Sequence, residues 1–116
     1  AGVSGLQSLA PVLIDAMLAG RLSRERLAWL LAEGTARLYG LYPRKGVLDP
    51  GSDADFILVD LEREWTLRRE DLRTRWPINP FIGREFAGKV VATFVRGEEV
   101  WRDRALRVTP GFGRPA

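Results

Sequence analysis

The residues of this chain that could do chemistry are few, and most are carboxylates. Asp49, Asp53, Asp55 and Asp60 crowd one short stretch that also carries Lys45. Such a cluster invites comparison with a calcium loop, but the order D-x-D-x-D-G and its distal Glu are missing. Turn chemistry suits it better. Pro50-Gly51 makes a tight turn, and Asp53 and Asp55 are placed to accept local backbone N–H groups ahead of an apolar run. Lys45 has no Walker pattern around it and reads as part of a solvated loop. Ser4 and Ser8 carry a nucleophile's hydroxyl, but the chain contains no His to take its proton. Cys is absent too, so disulfides and thiolate metal sites are excluded. The four tryptophans, Trp29, Trp65, Trp76 and Trp101, fall on separate segments, which predicts core and rim packing rather than a stacking platform for sugars or bases.

The 116 residues suffice for one domain with a modest core, and 46% hydrophobic with 28% charged residues is the balance of a soluble globular protein. The net charge of +3 comes from 18 bases interspersed with 15 acids, an ordinary solvated surface rather than the clustered basic face of a nucleic-acid binder. No apolar run approaches the roughly 20 residues needed to cross a bilayer, and the opening residues lack the basic n-region of a secretory signal. With no cysteine to protect, a reducing cytoplasm is the expected location, with no nucleic-acid or membrane partner. The chain starts at Ala1 rather than Met, so we expect a fragment, a processed product or a trimmed piece.

Two halves must position these residues. Ala1 to Gly5 is small, glycine-rich and loop-like. Leu9, Leu13, Ala16 and Met17 recur at helical spacing, with Leu6 and Ala10 extending the face. Pro11 is tolerable only in a first turn, which places the regular helix start near Ser8 to Ala10. Gly20 ends it. Ser23 is an N-cap for a second helix with Glu25 in its first turn, and Leu27, Leu30, Leu31, Gly34 and Leu38 form its stripe. Gly34 either interrupts that helix or permits close packing; Gly40 and Pro43 close the half.

The second half has a shorter period. Phe56 to Val59 is apolar on both faces, as in a strand covered on both sides. Trp65 to Leu67 is a short strand, Arg69 to Thr74 one helical turn, and Trp76 to Phe81 is broken by two prolines. Val90 to Val95 is β-branched and strand-like. Arg96-Gly97-Glu98 turns the chain into Glu99 to Arg102, and Asp103-Arg104 turns it again before Ala105 to Val108. Two helices with one broad apolar face each, and a few short strands, do not close a core. We infer that packing partners lie outside this chain.

Three motifs, in this order, resemble the C-terminal part of the cyclic amidohydrolases, the family of allantoinase, dihydroorotase and the hydantoinases. They are KG-x-x-x-PG-x-DAD from Lys45 to Asp55, PF-x-G from Pro80 to Gly83, and G-x-V-x-x-T-x-V-R-G from Gly88 to Gly97. Gly5-Leu6-Gln7 and Asn79 to Arg84 lean toward allantoinase. The resemblance implies an α/β fold: the last helices of a metal-dependent (β/α)8 barrel, plus strands of a small β-sandwich. Residues 1–43 would end the barrel domain, with a substrate-side loop and two helices; residues 44–116 would form the C-terminal part of a composite sandwich and a tail. It also implies hydrolysis of a cyclic amide C–N bond with zinc or a similar divalent metal in the complete enzyme, on ligands that this chain does not carry. Its own contribution would be substrate binding by Ala1, Gly2, Val3 and Ser4, through a loop whose glycines let a ring approach the main chain. No catalytic residue and no metal ligand is expected here, and the isolated chain should be inactive. The expected partners are the remainder of the barrel or a complementary chain, a small cyclic ureide or imide, and further copies in a homo-oligomer. The competing reading is a non-catalytic module that associates through exposed strands.

Overall fold

The structure, a computed structural model, describes residues 2–115. Helix α1 runs Leu6–Leu18; α2 (Arg24–Ala28) passes through a π-helical turn, Trp29–Glu33, into α3 (Gly34–Leu38). Strands β1 (Phe56–Thr66), β2 (Glu85–Val95), β3 (Glu98–Arg102) and β4 (Ala105–Leu106) form one sheet in the order β1-β2-β3-β4. The chain divides into two units. One takes in the chain up to Ser23 with Asp60–Lys89; the other takes in Arg24–Val59 with the chain from Val90 on.

In the first unit, α1 starts at Leu6, two residues before the expected place, and contains Pro11 in its interior. The missing Pro11 N–H costs α1 one internal bond, yet the ring is buried and packs. The helix ends as its sequence requires. Gly20 takes a φ of 73° that a side chain would resist, and the Gly20 and Arg21 N–H groups return to the Met17 and Ala16 carbonyls at 2.9 Å each. The buried face, however, is Ser8, Pro11 and Ile14 rather than the expected stripe. Leu6 and Leu9 stay 89% and 55% exposed. The helix is apolar on most of its circumference, so either face could turn inward, and the face left over has no cover. The core of this unit is Leu67, Leu72 and Phe86, with Val12, Trp65 and Phe81 packed against it. Trp65 stacks on Phe86 at 5.5 Å, and its indole N–H donates to the Gly88 carbonyl at 3.0 Å. The segment after Leu67 makes a 3-10 turn, Arg69–Asp71, shorter than the helical turn expected to Thr74. Trp65 and Thr66 belong to the long β1 rather than to a separate strand; no Gly or Pro interrupts Phe56–Thr66.

In the second unit, α2 and α3 read as one helix bulged in the middle. A Cβ on Gly34 would lie 2.8 Å from the Trp29 ring, so the glycine makes room for the indole. Ala36 is the one buried residue of α2, the π turn and α3, and Leu38 is 79% exposed. The β2–β3 hairpin turns on Arg96 and Gly97 at φ 52° and 81°, the twist that suits a two-residue hairpin loop. Asp103 and Arg104 at φ 41° and 76° make a second such turn into β4. Both pairings are antiparallel, and Val100 is an extra residue bulged opposite Thr93 and Phe94. Phe56 stacks on Phe94 at 4.5 Å. Ile57 and Leu58 are 39% and 42% exposed, so the apolar run Phe56 to Val59 is not covered on both sides by the described residues.

Candidate functional site

The substrate-side loop expected at Ala1 to Ser4 is described from Gly2; Ala1 lies outside the described residues. Gly2 to Gly5 forms an irregular lead into α1. Gly2 and Val3 are exposed, and Ser4 and Gly5 are half-buried. The downstream end is fixed by bonds rather than by packing. The Gly5 carbonyl accepts the Ser8 and Leu9 N–H groups at 3.0 and 2.9 Å and the Ser8 hydroxyl at 3.1 Å. The Ser4 carbonyl accepts Nδ2 of Asn79 at 3.0 Å.

Asn79 is the hinge of this arrangement. Its carboxamide is buried, and both amide hydrogens are used: Nδ2 donates to the Ser4 carbonyl and, at 3.0 Å, to Ser8 Oγ. Its Oδ1 accepts the Phe81 N–H at 3.0 Å. Pro77 and Pro80 on either side deny this stretch a ladder of backbone bonds, so a side chain does the bonding instead. Gln7 works in the same way one turn into α1. Its Nε2 donates to the Asp71 carbonyl at 3.0 Å, and its Oε1 accepts the Arg73 N–H at 2.6 Å. Further along α1, Asp15 accepts the Ala87 N–H at 3.1 Å and Arg84 Nη2 at 2.8 Å, with Arg21 farther out at 3.5 Å. The Arg84 guanidinium lies over Phe86, 4.9 Å from the ring centre.

From sequence, Gln7 and Asn79 stood out only as marks of kinship. Their bonding roles escaped notice because the Asp71 and Ser4 carbonyls they serve lie 64 and 75 residues away in the chain.

The carboxylate cluster sits in the second unit and is a structural knot. Lys45 Nζ pairs with Asp53 at 2.8 Å and with Asp55. Asp55 Oδ1 accepts the Arg96 N–H at 2.7 Å, the Gly97 N–H donates to the Ala54 carbonyl at 2.9 Å, and the Asp53 N–H donates to the Arg44 carbonyl at 2.8 Å. The motif from Lys45 to Asp55 thereby ties its loop to the β2–β3 turn. The Asp53 and Asp55 hydrogen bonds push the Lys45 ammonium above its ordinary range. Burial pushes the Asp55 carboxyl up, but the bonds from Lys45 and from the Arg96 N–H outweigh it and hold it below the usual carboxylate range. The tight turn at Pro50-Gly51 forms as expected, with Gly51 at φ 94° and the Ser52 N–H donating to the Asp49 carbonyl at 3.0 Å. The acids differ from the expectation: rather than accepting local N–H groups, Asp53 pairs with Lys45, and Asp55 pairs with Lys45 and accepts an N–H 41 residues away. Lys45 in turn is not solvated: its side chain is 20% exposed and paired twice. The tryptophans also divide, since Trp65 packs but Trp29 and Trp76 are 45% and 69% exposed.

A divalent metal does not fit these residues. Among the described residues no three His, Cys, Asp or Glu side chains converge on a common point. Asp53 and Asp55 already share the Lys45 ammonium, which occupies the place a cation would need.

The geometry defines a class before it defines a family. The chain is similar to the L-hydantoinase (dihydropyrimidinase) of Arthrobacter aurescens, with a TM-score of 0.93 and 37% identity, covering 97% of this chain and 25% of that one. The fold is therefore that of the C-terminal α/β portion of this enzyme class, helices followed by an antiparallel sheet. The family profile described as "Amidohydrolase family" matches residues 13–100, and the chain belongs to that family. It is 50% identical over 98% of its length to an allantoinase of Rubrobacter xylanophilus, covering 26% of it, and 35% identical over 89% to a dihydroorotase of Pyrococcus furiosus, covering 24%. It spans about a quarter of the length of the curated relatives it matches. Among the described residues no helix is long and apolar enough to cross a membrane.

Proposed function

We propose that this chain is the substrate-side and sandwich-forming part of a metal-dependent cyclic amidohydrolase that opens a cyclic ureide, allantoin before hydantoins or dihydroorotate. The observation that carries the reading is the 50% identity to an allantoinase over 98% of this chain. Residues 1–43 end the catalytic barrel, and residues 44–116 build half of a small sandwich and its tail. Ala1, Gly2, Val3 and Ser4 face the substrate. Their contribution is binding and orientation through main-chain groups, which suit the alternating N–H and C=O of a cyclic ureide. Zinc or a similar ion supplies the hydrolytic power from ligands encoded outside this stretch. The Lys45–Asp53–Asp55 knot holds the sandwich loop and takes no part in the reaction. The exposed Leu6, Leu9, Ile57 and Leu58 meet the body of the enzyme.

The test is a chimaera in which this chain replaces the matching quarter of the Rubrobacter allantoinase. Hydrolysis of allantoin faster than of hydantoin or dihydroorotate is expected, with no turnover by the isolated chain in added zinc. A folded, metal-loaded chimaera that hydrolyses none of them, or turnover by the chain alone, would contradict the reading. The second reading, a non-catalytic module, is favoured by the same exposed apolar residues on β1, Ile57 and Leu58. Light scattering separates the two: self-association that persists when the enzyme body is present supports the module.

A further inference from the structure

Asn79 belongs to no expected site, yet its side chain reaches the one loop that the functional reading assigns to substrate. The Ser4 carbonyl points to Asn79 Nδ2 at 3.0 Å. A trans peptide is planar, so the Gly5 N–H points the opposite way. The Gly5 carbonyl is held in turn by the Ser8 and Leu9 N–H groups and the Ser8 hydroxyl. Two successive peptide planes at the foot of the loop are thus set, while Gly2 and Val3 beyond them are exposed. Ser4 and Gly5 are only half-buried, and Gly5, having no Cβ, brings no side chain to hold that orientation. What fixes the Ser4–Gly5 plane is the carboxamide. Asn79 is itself held, because Oδ1 accepts the Phe81 N–H and the second amide hydrogen goes to Ser8 Oγ.

We propose that Asn79 is a positioning residue for substrate recognition: its amide sets the plane of the Ser4–Gly5 peptide and so the main-chain face that Gly2 to Ser4 present to the cyclic ureide. This rests on the reading of that loop as substrate-facing. Asn79 does not touch the substrate. Its effect is on binding, common to ground state and transition state, so it moves KM more than kcat.

The experiment uses the allantoinase chimaera described above. Asn79→Asp keeps the shape and the acceptor toward Phe81 but loses the donor to Ser4. KM for allantoin is expected to rise about tenfold, the scale of one lost buried hydrogen bond, with a much smaller change in kcat. As pH falls, the substituted carboxyl protonates and regains one donor, so the KM ratio to the parent shrinks. Asn79→Ala shows the same rise without the recovery. Gln7→Leu removes two bonds of the same α1 turn but none to the loop; it is expected to lower stability and leave KM unchanged. Parental KM in a folded Asn79→Asp or Asn79→Ala would overturn the proposal, as would an equal KM rise in Gln7→Leu. If Asn79→Asp does not fold, Asn79→Ser carries the same test with the same two outcomes. If the parent chimaera turns over no cyclic amide, the functional reading falls, and amide exchange at Gly5 still tests the brace: faster exchange in Asn79→Asp supports it, and unchanged exchange overturns it.

Discussion

Replacing Gly88 with alanine puts a methyl group where Ile14 already sits. A Cβ at Gly88 would lie 2.6 Å from Ile14 Cγ2 and 3.0 Å from Leu18 Cδ1. Leu18 is 38% exposed and can swing aside, but Ile14 is 1% exposed and has nowhere to go. Gly88 also holds a φ of 78°, where a side chain costs about 1–2 kcal/mol. Forcing α1 off β2 adds about 1–3 kcal/mol of overpacking. The total of about 2–5 kcal/mol is a large share of the stability of a domain this size. Equilibrium urea unfolding followed by tryptophan fluorescence measures it, and Trp65 is a local reporter because its indole N–H binds the Gly88 carbonyl at 3.0 Å. With a urea slope of about 2 kcal/mol/M, the midpoint should fall by about 1–2.5 M. A folded Gly88→Ala variant that loses less than about 1 kcal/mol would refute the claim that α1 and β2 meet without slack here.

Gly34→Ala is the contrasting case. The added Cβ would also approach to 2.8 Å, but its neighbour is the Trp29 ring, 45% exposed and able to rotate. Alanine is also the better helix former by about 1 kcal/mol, so the midpoint should change by less than about 0.5 M, and a loss as large as that of Gly88→Ala would contradict this. At the acid knot the sign of the pH dependence follows from the lowered Asp55 carboxyl. Its contribution is present above the unfolded value of about 3.9 and is lost as pH falls through the lower folded one, so Asp55→Asn should flatten acid unfolding below about pH 4. The Lys45 ammonium is raised, so its contribution is present below about pH 10.4 and is lost as pH rises through the higher folded value; Lys45→Met should flatten the alkaline limb. Both groups are partly exposed, so each effect should stay near about 1 kcal/mol and weaken in salt, and identical pH profiles for parent and variants would refute the assignment.

The sequence made the local elements legible wherever the signal was local. Gly20 closes α1, Arg96-Gly97 and Asp103-Arg104 turn the hairpins, and Pro50-Gly51 makes the tight turn ahead of β1. What stayed hidden depended on partners distant in the chain. The inward face of α1 is chosen by contacts to Asn79 and Gly88, and a helix apolar on most sides does not announce that choice. Lys45 looked solvated because its partners, Asp53 and Asp55, reach it only after the Pro50-Gly51 turn has folded back. The loop at Gly2 to Ser4 could be reached only through family resemblance, because small residues carry no chemical signal of their own. Asn79 sat in a quoted motif, but nothing in the proline-flanked segment Trp76 to Phe81 pointed to Ser4. The unsatisfied apolar faces were legible: a run such as Phe56 to Val59 needs more cover than two helices and four strands provide, and Ile57 and Leu58 are indeed left exposed.

The central claim is that these helices and strands complete a catalytic body encoded beyond them. The direct measurement mixes this chain with a Rubrobacter allantoinase lacking the matching quarter and follows complex formation and allantoin hydrolysis together. A stoichiometric complex that hydrolyses allantoin, from two parts that are inactive apart, is expected. A chain that stays monomeric, unfolds cooperatively by itself and neither binds nor restores the truncated enzyme would contradict the account.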